Sequence, residues 1–335
     1  VAAPRAAILG CAGLDLAPAE RAFFADADPW GFILFARNVD APDRLSALCA
    51  DLRDAVGRAA PILIDQEGGR VQRLGPSHWR AWQDAGAMLT RVAPDQRETA
   101  MRLRHRLIAE ELRAVGVDVN CAPVLDLALP EGDPVIGARA YSADPAEVAR
   151  LGRAAREGLE AGGVRPVIKH IPGHGRAPAD SHVALPRVET DRETLDATDF
   201  ASFRAHADAA LAMTAHVVYA AIDPERPATV SPAAIRVIRE EIGFNGLLMT
   251  DDVSMAALEG AMEHRCAAAL AAGCDVVLHC DGDRAAMEAV CAAAPRLEGR
   301  ALVRAEAAAR PLAAAPFDAE AALRRLDALC GRADA

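Results

Sequence analysis

Short apolar runs recur along the chain, and each is followed by an amphipathic stretch rich in alanine and arginine. The runs contain little polar alternation, which is typical of strands buried on both faces of a parallel sheet. The stretch 97–115 has a helical pattern, with leucines on one side, arginines and glutamates on the other, and Gly116 after it as a stop signal. The eight runs cover residues 6–13, 31–35, 62–65, 117–123, 164–170, 212–217, 246–250 and 275–279.

About eight strand-then-helix units in series predict an α/β fold, a single (β/α)₈ TIM barrel over residues 1–335. An open doubly wound sheet has the same pattern and is the alternative. No repeat, low-complexity linker or break in composition divides the chain, and terminal helices are predicted from about residue 283, punctuated by Pro311 and Pro316. In a barrel, polar residues at the C-terminal ends of the strands indicate the catalytic face.

Composition and charge exclude several classes of function. The chain has 37 basic and 48 acidic residues, a net charge of −11, which excludes a general nucleic-acid binder. The eight cysteines form no CxxC pair, and most lie in apolar runs, so buried reduced thiols and a cytoplasmic location are expected. No uncharged apolar run approaches the roughly 18 residues of a membrane span.

The first apolar run has a second interpretation. Ile8-Leu9-Gly10-Cys11 after Arg5 is similar to a bacterial lipoprotein cleavage site, but the apolar stretch is near the short limit for a signal segment. We interpret it as the first core strand, which the barrel requires. Acylation of Cys11 would overturn this interpretation and the cytoplasmic location.

The segment KHIPGHGRAPADSH, residues 169–182, carries three histidines and the only lysine in the chain, Lys169. His170 and His174 have the spacing of a zinc-binding helix, but the proline and glycines around them break any helix, and no glutamate follows His170. We therefore expect no metal and no cofactor here. Loop histidines without a role remain the simplest alternative.

Asp180 and His182 lie two residues apart at the end of this segment. In an extended loop both side chains fall on the same side. A carboxylate beside an imidazole orients the ring and stabilises its cationic form, and histidine moves protons well near neutral pH. The pair is therefore a candidate for acid–base work.

The apolar run 246–250 leads into Asp251 and Asp252. A carboxylate at the end of a barrel strand is a candidate nucleophile, and the structural alternative is the N-cap of the following helix. Adjacent strand residues point in opposite directions, so one aspartate would face the barrel mouth and the other would cap or brace. Periodicity alone does not decide which one faces inward.

Three segments in order, ILIDQEGGRVQRL (62–74), KHIPGHGRAPADSH (169–182) and LLMTDDVSM (247–255), resemble the motifs of the β-N-acetylhexosaminidases of glycoside hydrolase family 3. The resemblance implies a single (β/α)₈ barrel that removes terminal N-acetylglucosamine (GlcNAc) from muropeptide fragments during peptidoglycan recycling in the cytoplasm. It also implies a monomer that needs no cofactor and has no nucleic-acid or membrane partner.

The resemblance assigns roles to individual residues. Asp251 corresponds to the nucleophile, and His182 to the general acid/base, assisted by Asp180. The arginine of Val135-Ile136-Gly137-Ala138-Arg139 corresponds to a substrate ligand, and Ile171, Ala138, Ala140 and Val253 depart from the usual pattern only in packing. The substrate-binding residues implied are Asp65, Arg73, Arg139, Lys169 and His170.

Other activities fit parts of the pattern. A phosphorylase on the same scaffold could share the Asp–His pair. Substrate-assisted hydrolysis is disfavoured because the chain has no adjacent Asp-Glu pair, and the length argues against the two-domain glucosidases. An inert muropeptide-binding barrel is the alternative from another class, and the presence of Asp180, His182 and Asp251 together speaks against it.

Overall fold

All eight predicted strands are present in the computed structural model, which describes residues 2–331. They close into one barrel in the order β1-β8-β7-β6-β5-β4-β3-β2, and every neighbouring pair is parallel. Because β1 pairs with β8, the open-sheet alternative is wrong and the predicted barrel is confirmed. The strands are β1 Arg5–Leu9, β2 Pro29–Leu34, β3 Ile62–Ile64, β4 Val119–Asn120, β5 Arg165–Ile171, β6 Leu211–Thr214, β7 Leu247–Asp252 and β8 Val276–His279.

The helices surround the barrel. The predicted helix at 97–115 is α4, and the three helices after residue 283 are α10 to α12, with Pro311 and Pro316 both in the connection between the last two. Over residues 2–331 the helices are α1 Pro18–Ala27, α2 Pro42–Val56, α3 Ala85–Leu89, α4 Arg97–Ala114, α5 Pro145–Ala161, α6 Arg192–Ala197, α7 Asp199–Arg204, α8 Pro232–Arg236, α9 Met262–Ala272, α10 Arg284–Ala293, α11 Gly299–Ala308 and α12 Ala319–Leu329.

Two buried clusters explain why the strands are apolar on both faces. Alternate strand residues point inward and fill the barrel, as Ile8, Leu63 and Met249 do, whereas their neighbours point outward and pack beneath the helices. The barrel is therefore a packed core, and only the polar residues at the strand ends are left for chemistry.

Two short pairings outside the barrel shape the loops at its C-terminal end. Gln66–Gly68 pairs antiparallel with Val71–Gln72 directly after β3, and Arg187–Val188 pairs parallel with Val218–Tyr219. The seven cysteines from Cys11 to Cys291 are free thiols, and all of them except Cys280 are buried. No helix within residues 2–331 is both long and apolar enough to span a membrane.

Candidate active site

A cavity of about 380 Å³ opens at the C-terminal ends of the strands. Its walls include Ile33 of β2, Met213 of β6 and Leu278 of β8, so it lies over the packed interior of the barrel. All eight residues singled out from the sequence line this one cavity: Asp65, Arg73, Arg139, Lys169, His170, Asp180, His182 and Asp251.

The only lysine of the chain, Lys169 on β5, is buried between two carboxylates. Its Nζ lies 2.7 Å from Asp65 Oδ1 and 2.6 Å from Glu67 Oε1. Burial alone would lower the pKa of Lys169, but the charges of Asp65 and Glu67 outweigh that effect and raise the pKa above its ordinary value. The ammonium group is therefore charged throughout the physiological pH range.

Two arginines complete this charge network, which consists of Asp65, Glu67, Arg73, Arg139 and Lys169. Arg139 binds Glu67 through a bidentate pair, with Nε–Oε2 and Nη2–Oε1 distances of 2.9 Å. Arg73 Nη2 lies 3.2 Å from Asp65 Oδ2. Three cations face two carboxylates, so the network carries an excess positive charge and suits a ligand rich in oxygen lone pairs.

One buried carboxylate holds the two histidines that follow Lys169. Asp126 Oδ2 accepts a hydrogen bond from His170 Nδ1 at 2.6 Å, and its Oδ1 accepts the backbone N–H of His174 at 2.6 Å. Burial alone would raise the pKa of Asp126, but the charge of His170 and these hydrogen bonds lower it. His170 therefore keeps Nε2 as the ring nitrogen available to a ligand.

His174 also lines the cavity. Burial and the neighbouring His170 lower the pKa of His174 to about 4, so the imidazole is neutral near pH 7. His170 lies in β5 and His174 in the loop after it, rather than both on one face of a helix, and their rings are 5.7 Å apart between centroids. Within residues 2–331, no group of three or more His, Cys, Asp or Glu side chains is arranged to hold a metal ion.

Asp180 and His182 are in contact, as their spacing predicts. Asp180 Oδ1 accepts hydrogen bonds from the backbone N–H of His182 at 2.9 Å and from its Nδ1 at 2.8 Å. Burial alone would raise the pKa of Asp180, but the two hydrogen bonds from His182 lower it. The side chain of His182 is 63% exposed at the mouth of the cavity, and its Nε2 is left to exchange a proton.

The two aspartates at the end of β7 have different environments. Asp251 lines the cavity, and its carboxylate accepts a hydrogen bond from the backbone N–H of Asp252 at 2.8 Å. Asp252 accepts from the backbone N–H and the hydroxyl of Ser254, at 3.0 and 2.6 Å, and from Cys280 N at 3.3 Å. Asp252 therefore braces the turn after the strand, and Asp251 keeps an oxygen for chemistry.

The alternative that one of these aspartates caps the following helix is wrong. The next helix, α9, begins at Met262, and the residue at its N-cap is Ala261. A tight turn that starts at Asp252 takes the place of the expected cap.

Reasoning from the sequence missed three residues of the site. Glu67 stands two residues after Asp65, and the alternation of side chains in extended chain was a signal that both point to the same side. Asp126 comes three residues after the predicted run 117–123, so it was not recognised as a strand-end polar residue. For His174 the sequence pattern suggested only a metal ligand or a loop histidine without a role.

Comparisons with known proteins identify the family to which the chain belongs. Residues 14–310 match the family described as the glycosyl hydrolase family 3 N terminal domain. A β-hexosaminidase from Idiomarina loihiensis is 37% identical over 297 residues, covering 87% of this chain and 88% of that protein. A β-hexosaminidase from Xanthomonas oryzae pv. oryzae is 39% identical over 303 residues, covering 88% and 90%.

A solved structure extends the likeness to three dimensions. The crystal structure of NagZ from Neisseria gonorrhoeae in complex with N-trifluoroacetyl-D-glucosamine superposes with a TM-score of 0.88 at 29% identity. The match covers 98% of this chain and 99% of that one.

Proposed function

Since this chain belongs to glycosyl hydrolase family 3 and is a β-N-acetylhexosaminidase, we propose that it is a retaining exo-β-N-acetylglucosaminidase acting on muropeptides. It would release terminal GlcNAc from GlcNAc-anhydromuramic acid, with or without a peptide, during peptidoglycan recycling. The observation that carries the proposal is one cavity lined by the charge network, the carboxylate of Asp251 and the Asp180–His182 pair.

The charge network supports recognition of the sugar. Ionised Asp65 accepts hydrogen bonds from hydroxyl groups, whereas Lys169 and Arg139 donate them. Because Glu67 holds Lys169 and Arg139 together, these donors are oriented before the sugar arrives. Pre-orientation lowers the entropic cost of binding and favours a small polyhydroxylated ring.

The first step forms a covalent glycosyl-enzyme. Asp251 attacks the anomeric carbon while protonated His182 gives its Nε2 proton to the glycosidic oxygen, and the aglycone leaves as an alcohol. In the second step neutral His182 takes a proton from water, which attacks the same carbon and releases GlcNAc. Asp251 returns to a carboxylate and His182 to an imidazolium that Asp180 stabilises.

A histidine in place of the usual second carboxylic acid has an electrostatic consequence. A deprotonated carboxylate near Asp251 would repel it, whereas a deprotonated imidazole is neutral. The exposed position of His182 at the mouth of the cavity also allows water to reach it for the second step.

Two further observations support the proposal: the first concerns the charge of the aglycone, and the second concerns the cytoplasm as the compartment. Arg70 lines the cavity and is exposed, so its guanidinium can reach an anionic group of the aglycone. The free thiols from Cys11 to Cys291 suit a reducing compartment. The proposal includes a monomer, which light scattering of the purified protein would test.

The test is hydrolysis of an aryl β-N-acetylglucosaminide by the purified protein with EDTA throughout, first without and then with phosphate. We expect turnover that does not change with phosphate, and a higher kcat/KM for GlcNAc-anhydromuramic acid than for chitobiose. A rate that requires phosphate would identify a phosphorylase instead, and a preference for chitobiose would contradict the muropeptide assignment.

A further inference from the structure

Arg104 on α4 is a buried arginine that the proposed reaction does not use. It is 1% exposed, and no carboxylate of residues 2–331 forms an ion pair with it. Burial lowers its pKa to about 10, which still leaves it charged near pH 7. An unpaired buried charge is unfavourable unless hydrogen bonds replace the lost water, so the partners of this guanidinium indicate its purpose.

The two short hydrogen bonds of this guanidinium go to backbone carbonyl groups of the segment after β3, and its Nη1 makes a longer contact of 3.9 Å with Met88 Sδ. Arg104 Nη2 donates to the carbonyl oxygen of Glu67 at 2.6 Å and to that of Gln83 at 2.5 Å. The guanidinium carbon lies 5.3 Å from the ring centre of Trp82. Through these contacts Arg104 links the turn that contains Glu67 to residues 82–83.

The local backbone is shaped around this guanidinium. Gly68 has a φ of +103°, and a Cβ at this position would overlap Arg104 Nη2 and Gln83 O. Gly69 follows with a φ of +60°, and its N–H donates to Trp82 O at 2.7 Å. The two glycines after Glu67 thus make room for the arginine and allow the turn to close on it.

Glu67, whose main-chain carbonyl accepts a hydrogen bond from Arg104, also places its carboxylate at the centre of the charge network. The Glu67 carboxylate binds Arg139 through two hydrogen bonds and Lys169 through one. Burial alone would raise the pKa of Glu67, but the charges of Arg139 and Lys169 lower it well below its ordinary value. A shift of the Glu67 backbone would therefore move both cations that face the sugar.

We propose that Arg104 is a positioning residue for the sugar-binding side of the cavity, acting through the main-chain carbonyl of Glu67. This inference rests on the proposed function, because it takes Lys169 and Arg139 to be ligands of the sugar. Arg104 itself does not line the cavity and makes no contact with the substrate.

Two variants of Arg104 test the proposal. Arg104→Met removes all hydrogen-bond donors of the side chain, and Arg104→Lys replaces the planar guanidinium by a single ammonium group. We expect KM for an aryl β-N-acetylglucosaminide and the inhibition constant of free GlcNAc to rise about tenfold in the Met variant and about threefold in the Lys variant. The kcat per folded enzyme should stay within about threefold, because the reacting groups are elsewhere.

Arg106→Met is the matched control on the same helix. Arg106 is also buried, but its guanidinium donates to Ala315 O at 2.8 Å and lies over the ring of Phe317, away from the cavity. The Arg106→Met variant should have a lower Tm but an unchanged KM and an unchanged GlcNAc inhibition constant. If the Arg104 variants behave in the same way, Arg104 is only structural and the inference is overturned; if the Met variant does not fold, the Lys variant decides by the same two constants.

A parallel Lys169→Met variant separates this inference from the proposed function. If Lys169→Met leaves KM and the GlcNAc inhibition constant unchanged, the assignment of the sugar ligands is wrong. If it raises both while the Arg104 variants leave them at wild-type values, only the positioning role of Arg104 is overturned.

Discussion

Neighbouring residues of this site differ in chemistry because their hydrogen bonds differ. Asp251 and Asp252 both line the cavity, but both oxygens of Asp252 accept hydrogen bonds from Ser254 and Cys280, whereas Asp251 accepts one hydrogen bond from the backbone. His170 is fixed by buried Asp126, but His182 is paired with half-buried Asp180 at the rim. Burial and partner, rather than residue type, distinguish a ligand from a proton carrier.

At this scale we expect Asp251→Asn to lower kcat by about 10³-fold or more, because the amide cannot form the glycosyl ester. Steady-state kinetics on an aryl β-N-acetylglucosaminide would measure the effect. Asp252→Asn is the matched control and should mainly lower Tm, because Asp252 braces the turn. Equal kcat losses in the two variants would contradict the assignment of the nucleophile.

We expect His182→Ala to discriminate between leaving groups. Loss of the proton donor should lower kcat/KM for GlcNAc-anhydromuramic acid by about 10²–10⁴-fold, because the departing alkoxide needs a proton. An activated aryl group leaves without one, so its kcat/KM should change far less. The measurement is kcat/KM over a series of leaving groups, and an equal loss on all of them would show that His182 is not the acid.

Among the structural elements, a residue that follows β4 positions the end of β5 and the start of the loop after it. Asp126 follows β4, and its carboxylate binds the backbone and side chain of His170 and the backbone of His174. One aspartate thus sets the path of the loop as it leaves the barrel and the orientation of its first histidine. The loop then continues to Asp180 and His182, so its start is buried and hydrogen-bonded, whereas His182 at its end is exposed.

We expect Asp126→Asn to lower kcat/KM about tenfold or more, because an amide replaces one of the two carboxylate oxygens that hold the His170 ring and the backbone of His170 and His174. Asp275→Asn is the matched control. Asp275 is equally buried, but it accepts from Leu248 N at 2.9 Å and from Arg239 and Arg304 at the opposite end of the strands. It should lower Tm and leave kcat/KM unchanged, and the same outcome for Asp126→Asn would make Asp126 purely structural.

At the scale of the whole molecule, the closed barrel buries several histidines as neutral rings. Burial lowers the pKa of His105 to about 3 and the pKa values of His174 and His206 to about 4, from an ordinary value of 6.5. Between pH 4 and 6.5 the unfolded chain therefore binds protons that the folded chain does not. Folding stability must fall as the pH falls through this range.

We expect each of these histidines to contribute up to about 1.4 kcal/mol per pH unit to that fall, or about 4 kcal/mol per pH unit for the three together. Urea unfolding at several pH values between 4.5 and 7 would measure the slope. His105→Gln should reduce the slope of unfolding free energy against pH by up to about 1.4 kcal/mol per pH unit, because glutamine does not titrate. A His105→Gln variant with the slope of the wild type would contradict the prediction.

The pattern of apolar runs was enough to predict the eight strands and the helices between them, whereas the choice between an open sheet and a closed barrel depended on the pairing of β1 with β8. All eight predicted strands were found, because strands buried on both faces must be apolar throughout and the helices between them must be amphipathic. The polar residues at the strand ends were also correctly brought to one cavity, since a barrel gathers the C-terminal ends of its strands on one face. Strand ends, as at residues 250–252, were less well predicted.

The pairing of the site residues could not be predicted from the sequence. Alternation could not tell whether Asp251 or Asp252 keeps an oxygen for chemistry, because that depends on the hydrogen bonds of the turn after β7. The contact of Glu67 with Arg139 and the contact of Arg104 with Glu67 join residues far apart in the chain. Hydrogen bonds and pKa shifts of this kind depend on distances of a few ångströms between residues that are far apart in the sequence. The order of residues along the chain does not contain those distances.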